Sequence, residues 1–284
     1  MRVGRGSEGA GRDYSRLRTT LLIAILLAIA LVTLPVIMHR QTQAPPMQPK
    51  IEGAPASLSR GLSAPTWDDL SVSVFVLKKG TQQVGTGFAV ANSVLATAAH
   101  VAQELMNNGG GKAVQSDSAA TCTFARADIR ISTTYKVQSS FADQYANDIA
   151  LITVSCPDPL KPVTFASASE MRSLGRGMPV DVLSFPTADF LAGAPKPVAF
   201  LSGGTVGAPF GASLFLHTAA VAPGASGAPI FNEQYHVIGI VEGGDALQLV
   251  GSGGASVRVP AGDSVNFGLR VDALQDFMHQ QGVH

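Results

Sequence analysis

A serine hydroxyl attacks a carbonyl only when a base takes its proton, a third group orients the base, and backbone donors receive the developing oxyanion. Three short blocks of this 284-residue chain hold those parts. His100 follows the run Val94-Leu95-Ala96-Thr97-Ala98-Ala99, with Gly85-Thr86-Gly87-Phe88 upstream of it. Asp148 opens the apolar run Ile149-Ala150-Leu151-Ile152, where a carboxylate is costly unless it is paired. Ser226 lies within Pro223-Gly224-Ala225-Ser226-Gly227-Ala228-Pro229, whose small residues let backbone approach a ligand closely. Singly, the first block also fits a hydrogen-bonded core histidine and the third an ordinary glycine-rich turn. Together, 48 and 78 residues apart, they supply base, orienter and nucleophile.

The elements that must position these groups are mostly strands. Short, β-branched apolar runs recur at Ser71–Leu77, Thr86–Val90, Ser93–Ala98, Asp148–Val154, Val180–Ser184, Ser213–Thr218, Val237–Val241 and Val265–Leu269, nearly all punctuated by Gly, Pro, Asn or Ser. Two helical stretches interrupt them. Val101–Met106 makes a turn or two after His100, and Val271–Gln280 sets Val271, Leu274, Phe277 and Met278 on one face. Many short strands with few helices predict an all-β antiparallel sandwich or pair of barrels, not an alternating α/β fold.

Composition narrows the classes further. With 46% hydrophobic and 14% charged residues the chain can bury a core and is neither disordered nor a coiled coil. Twenty basic residues balance twenty acidic ones, but the first forty residues carry six arginines and two acids, which leaves the remainder net negative. A nucleic-acid partner, which needs a clustered basic face, is not expected. The six histidines are scattered without metal-ligand spacing, and the glycine runs at 109–111 and 251–254 lack the residues of a phosphate loop. No metal and no cofactor is predicted.

Thr19–Met38 is an uncharged run of twenty residues, about 30 Å as a helix, which matches a bilayer core. A secretory signal peptide would have a shorter apolar region and a nearby small-x-small site; the nearest, Ala54-Pro55-Ala56, is distant and holds a proline. Arg2, Arg5, Arg12, Arg16 and Arg18 precede the run, so the positive-inside rule keeps residues 1–18 cytoplasmic. The expected organisation is then a membrane anchor at 19–38, a Pro/Ala-rich linker at 39–66 and an extracytoplasmic domain at 67–284, periplasmic if the source is bacterial. Outside the cytoplasm disulfides persist, and Cys122 and Cys156 can pair in only one way.

The Thr97-Ala98-Ala99-His100, Asn147-Asp148-Ile149-Ala150-Leu151-Ile152 and Gly224-Ala225-Ser226-Gly227-Ala228-Pro229 blocks resemble, in order and spacing, those of trypsin-like serine proteases of the chymotrypsin fold. The stretch His217 to Gly224, the run Val237-Ile238-Gly239-Ile240 and the run Asn266-Phe267-Gly268-Leu269 are most similar to the bacterial HtrA (Deg) branch, and the resemblance spans about residues 67–280. It implies two six-stranded antiparallel β-barrels with a C-terminal helix and a cleft between the barrels. It also implies His100 as base and then acid, Asp148 as orienter, Ser226 as nucleophile, and the amides of Gly224 and Ser226 as oxyanion hole. Ala220 and Val221 would line the substrate pocket, and the strand through Val241, Glu242 and Gly243 would pair with a peptide substrate.

Departures from the pattern carry expectations of their own. Ala225 stands where trypsin-type zymogens have an aspartate, which excludes activation by an inserted N-terminus. Glu242 stands where relatives tend to have a small polar residue near the triad aspartate, although a one-residue shift would turn it outward. Ala220 to Ala225 contain no acid, so small or medium apolar residues are expected at the cleaved position. The chain ends at His284 with no PDZ domain, which leaves the oligomeric state open. The expected function is a membrane-anchored serine endopeptidase. A catalytically inactive scaffold of the same fold is the alternative, and a non-protease acyl transferase is disfavoured because Ser226 leads into a strand rather than a helix.

Overall fold

The computed structural model describes residues 65–116, 120–135, 145–187, 197–243, 247–250, 256–259 and 266–284. The expected cytoplasmic segment, membrane anchor and nearly all of the linker lie outside these residues. No helix among the described residues is long and apolar enough to cross a membrane. The folded unit runs from Leu62 to His284.

Its first sheet comprises β1 (Val74–Lys79), β2 (Gln82–Ala91), β3 (Val94–Thr97), β4 (Gly110–Gln115), β5 (Thr121–Ala125), β6 (Ile129–Ile131) and β7 (Ala150–Thr153). The spatial order is β5-β4-β1-β2-β3-β7-β6, with every pairing antiparallel. These strands are apolar on both faces, so successive side chains enter different cores. Phe75, Leu77, Leu95 and Ile152 pack with Val101 and Leu105, whereas Val74, Val76, Phe88 and Leu151 join the larger core around Phe215 and Ile230. That two-sided burial explains why the runs read as continuous apolar stretches.

Where a six-stranded barrel was expected, the first sheet has seven strands among the described residues and does not close through its strand ladders. Its edge is joined instead by a short seam, where Thr123 of β5 and Ser155 just beyond β7 exchange both backbone hydrogen bonds at 2.9 Å. The Cys122–Cys156 disulfide closes the same seam one residue away. The glycine run at 109–111 opens β4. Gly110 has φ +124°, and a Cβ on Gly111 would lie 2.5 Å from the Lys78 carbonyl oxygen, so neither position accepts a side chain easily.

The second sheet is a closed six-stranded barrel, as expected, in the order β10-β15-β12-β11-β8-β9. Its strands are β8 (Pro179–Ser184), β9 (Phe200–Phe210), β10 (Leu214–His217), β11 (Pro229–Phe231), β12 (Val237–Gly243) and β15 (Asn266–Arg270), while β13 (Leu247–Val250) and β14 (Ser256–Val259) form a separate hairpin. Among the described residues four α-helices attach: α1 (Trp67–Ser71), α2 (Ala99–Asn107), α3 (Ala168–Ser173) and α4 (Val271–Gln280). Helix α4 buries Val271, Leu274, Phe277 and Met278, the face predicted from its period.

Candidate active site

Helix α2 starts directly after β3, so the residue that ends the strand's apolar run becomes the second of the helix. Ala98 offers no side-chain cap, and the orphan amide of His100 is satisfied from elsewhere. Asp148 Oδ1 accepts that amide at 2.8 Å, while Asp148 Oδ2 lies 2.7 Å from His100 Nδ1. Both carboxylate oxygens therefore grip one residue. The contact assigns the proton to Nδ1 and leaves Nε2 as the basic nitrogen. Asp148 is fully buried and the His100 side chain is 36% exposed, so the carboxylate is sealed while the ring meets solvent.

Ser226 sits on a tight loop that precedes β11. Ala225 and Ala228 donate to the carbonyls of Ala222 and Ala225 at 2.9 Å, and Gly227, at φ +84°, donates to Val241 at 2.7 Å. A Cβ on Gly227 would collide with Thr97 Oγ1 and the Thr86 carbonyl, which makes glycine obligatory there. The loop is fastened to the first sheet. Thr86 donates its amide to the Ser226 carbonyl at 2.9 Å and its hydroxyl to the Gly224 carbonyl at 2.7 Å. Gly85 is wedged between α2 and the loop, since a Cβ there would lie 2.7 Å from the Val101 side chain and 3.0 Å from the Ser226 carbonyl oxygen. Val101 neighbours His100 in sequence, so this wedge sets the Ser226 segment close to the helix that carries the imidazole.

Gly224 has φ +97° and packs against the Phe185 carbonyl, Gln83 Nε2 and the Thr187 amide. Gln83 donates to the Phe185 carbonyl, and Thr187 donates to Pro223 at 2.8 Å. Among the described residues neither the Gly224 nor the Ser226 amide donates to a protein acceptor. Two adjacent donors without internal partners beside a half-exposed serine can receive an oxyanion.

The pocket residues fall out differently. Ala220 is exposed and Val221 half-buried. Val241 is fully buried, and its amide and carbonyl bond to Ala228 and Gly227, so it has neither side chain nor backbone group free for a substrate strand. That corrects its expected role, which left Gly243 as the next position along β12. Glu242 is turned inward, not outward. A bulge between Val241 and Gly243 makes it the extra residue of β12, and its side chain is sealed beside Asp148. Burial first, then the charge and hydrogen bonding of Asp148, push its carboxyl well above the ordinary value of 4.5. Tyr135 faces the same pair, and burial together with the charges of Asp148 and Glu242 raises its phenol to about 12.

Several contributors were not foreseen in the sequence. Thr86 and Gln83 tie the serine loop to the first sheet, and Tyr135 was hidden in a turn. His217, at the end of β10, is fully buried; burial lowers its ring to about 4, and only weak backbone bonding from Phe267 opposes this. Its cross-strand partner Asn266 donates from Nδ2 to the Ala219 carbonyl at 2.7 Å. The Asn266 amide thus lies against the Ala219 backbone, across the strand pair from the buried imidazole.

The description "trypsin-like peptidase domain" matches residues 85–240. No curated protein matches the chain. Among solved structures, an inactive serine-to-alanine mutant of Rv3671c from M. tuberculosis H37Rv is 17% identical with a TM-score of 0.50, covering 78% of this chain and 91% of that one. An inactive form of the Rv3671c protease is 18% identical with a TM-score of 0.50, covering 76% and 92%. Glu endopeptidase in complex with MPD is 15% identical with a TM-score of 0.52, covering 74% and 91%. At these identities the likeness bears on the fold, which is the all-β chymotrypsin-like one.

Proposed function

The chain belongs to the family of trypsin-like peptidase domains, and from that premise we propose that it is a serine endopeptidase whose triad is His100, Asp148 and Ser226. The observation that carries the reading is the two-point hold of Asp148 on His100, with the Ser226 loop fastened against the same helix by Gly85 and Thr86. His100 Nε2 takes the hydroxyl proton as Ser226 Oγ bonds to the scissile carbonyl carbon. Asp148 stabilises the imidazolium, and the amides of Gly224 and Ser226 receive the oxyanion. Collapse breaks the C–N bond, the amine leaves with the proton from His100, and water repeats the sequence to release the acid and regenerate the serine. Ala225 lies in the core and bonds to Ala222 within the loop, which supports a site assembled without an ion pair to a new N-terminus.

The substrate is a protein or peptide, with small or medium apolar residues at the cleaved position. The arginine-flanked run 19–38 anchors the enzyme with its catalytic domain outside the cytoplasm, and the Cys122–Cys156 disulfide supports an oxidising compartment. The second carboxyl beside Asp148 favours one other reading, a scaffold that holds peptides without cleaving them. Labelling of the full-length protein by a fluorophosphonate, absent in Ser226→Ala, is the expected result. No labelling of the wild type at any pH between 5 and 9 would replace the protease by the scaffold.

A further inference from the structure

Glu242 is a buried acid that, among the described residues, forms no ion pair. Among the described residues the ion pairs are Lys79–Glu104, His100–Asp148, His236–Glu170 and Arg270–Asp272, and none reaches it. Neither of its oxygens has a partner in good hydrogen-bond geometry, although it is close enough to Asp148 for the two carboxyls to interact. One of its oxygens lies within 4.8 Å of both an Asp148 oxygen and a His100 nitrogen. The groups facing it are Asp148 from the segment before β7, His100 from α2 and Tyr135 from the turn after β6. The register of β12 shifts between Val241 and Gly243, and the residue in the bulge, Glu242, has its side chain buried there.

Two ionised carboxylates with one imidazole between them would leave a net negative charge in a sealed site, which the interior does not tolerate. We propose that Glu242 is a positioning residue that stays protonated in the working enzyme and shares its proton with Asp148, holding that carboxylate toward His100 from the second barrel. The idea rests on the protease reading above. Asp148 already uses one oxygen on the His100 amide and one on the ring, so a proton shared from Glu242 would restrain its rotation without adding charge. The base therefore works opposite one negative charge, not two.

The test compares Glu242→Gln, which keeps a neutral donor of nearly the same shape, with Glu242→Ala in the full-length protein. Removing the donor should lower kcat about tenfold with KM nearly constant, and the glutamine should rescue most of that loss. The acid limb of the kcat/KM profile should keep its midpoint in Glu242→Gln. A fall of about one pH unit or more would overturn the proposal, because it means a negative charge had been removed. A second readout needs no turnover. As pH rises above 4.5, wild type should lose stability relative to Glu242→Gln, its unfolding equilibrium shifting about tenfold toward the unfolded state per pH unit until the raised folded value is passed, since only the wild type takes up a proton on folding. Parallel curves would overturn the idea. So would inhibition by micromolar Zn²⁺ that is reversed by chelator and lost in Glu242→Gln, for the pair would then hold a cation. If the wild type neither labels nor cleaves, the protease reading fails while the stability comparison still decides the shared proton.

Discussion

Adding one methyl group at Gly224 tests the oxyanion assignment without touching any side chain of the triad. At φ +97° an L-residue is strained by about 1–2 kcal/mol. The new Cβ would also stand 2.5 Å from the Phe185 carbonyl oxygen, 2.6 Å from Gln83 Nε2 and 2.9 Å from the Thr187 amide. The Gln83 amide can swing away only by releasing Phe185, and the two backbone groups can retreat only by weakening the Thr187 to Pro223 bond. The loop must therefore shift and carry the 224 amide with it. Loss of one oxyanion donor lowers turnover by about 10²–10³, equivalent to about 3–4 kcal/mol in the transition state. For Gly224→Ala we expect kcat on a fluorogenic peptide to fall by that factor, KM to change little, and the urea midpoint to move only modestly. A variant that keeps kcat within about threefold of wild type, with normal stability, would refute the placement of this amide in the hole.

Two further outcomes follow from the barrels. The Cys122–Cys156 bond closes a loop of 34 residues and should contribute about 4 kcal/mol, so a Cys122→Ser/Cys156→Ser double variant that loses under about 1 kcal/mol in urea unfolding would contradict its role at the seam. His217 is neutral in the folded state because burial lowers its ring from 6.5 to about 4. The unfolded chain binds a proton that the folded one refuses, so its contribution is complete above pH 6.5 and is lost as pH falls toward 4, by up to about 3 kcal/mol. His217→Leu should flatten the thermal stability profile across that window; a profile parallel to wild type would show that other groups set it.

What the sequence made legible was the family, because the blocks around His100, Asp148 and Ser226 occur together and in order, although singly the first and third also fit a core histidine and an ordinary turn. Strands with apolar cores were readable too, β3, β8 and β10 among them. Strands whose reason to exist is pairing were not. Gly110 and Gly111 in β4, and Gly203, Gly204, Gly207 and Pro209 in β9, read as loop until close backbone approach explains them; a Cβ on Gly204 would strike Ala219. Helices α1 and α3 are too short for a period, yet each carries a capping box, Thr66 with Asp69 and Ser167 with Glu170, that could have been found. The orientation of Glu242 was beyond reach, since a bulge changes which face a residue takes and leaves no mark in the pattern.

Thr86, in the first sheet, holds the Ser226 carbonyl and that of Gly224 two positions earlier. The proposed nucleophile therefore takes its place through bonds donated from the opposite sheet, so a single threonine that touches no substrate would govern whether the Ser226 loop keeps its shape.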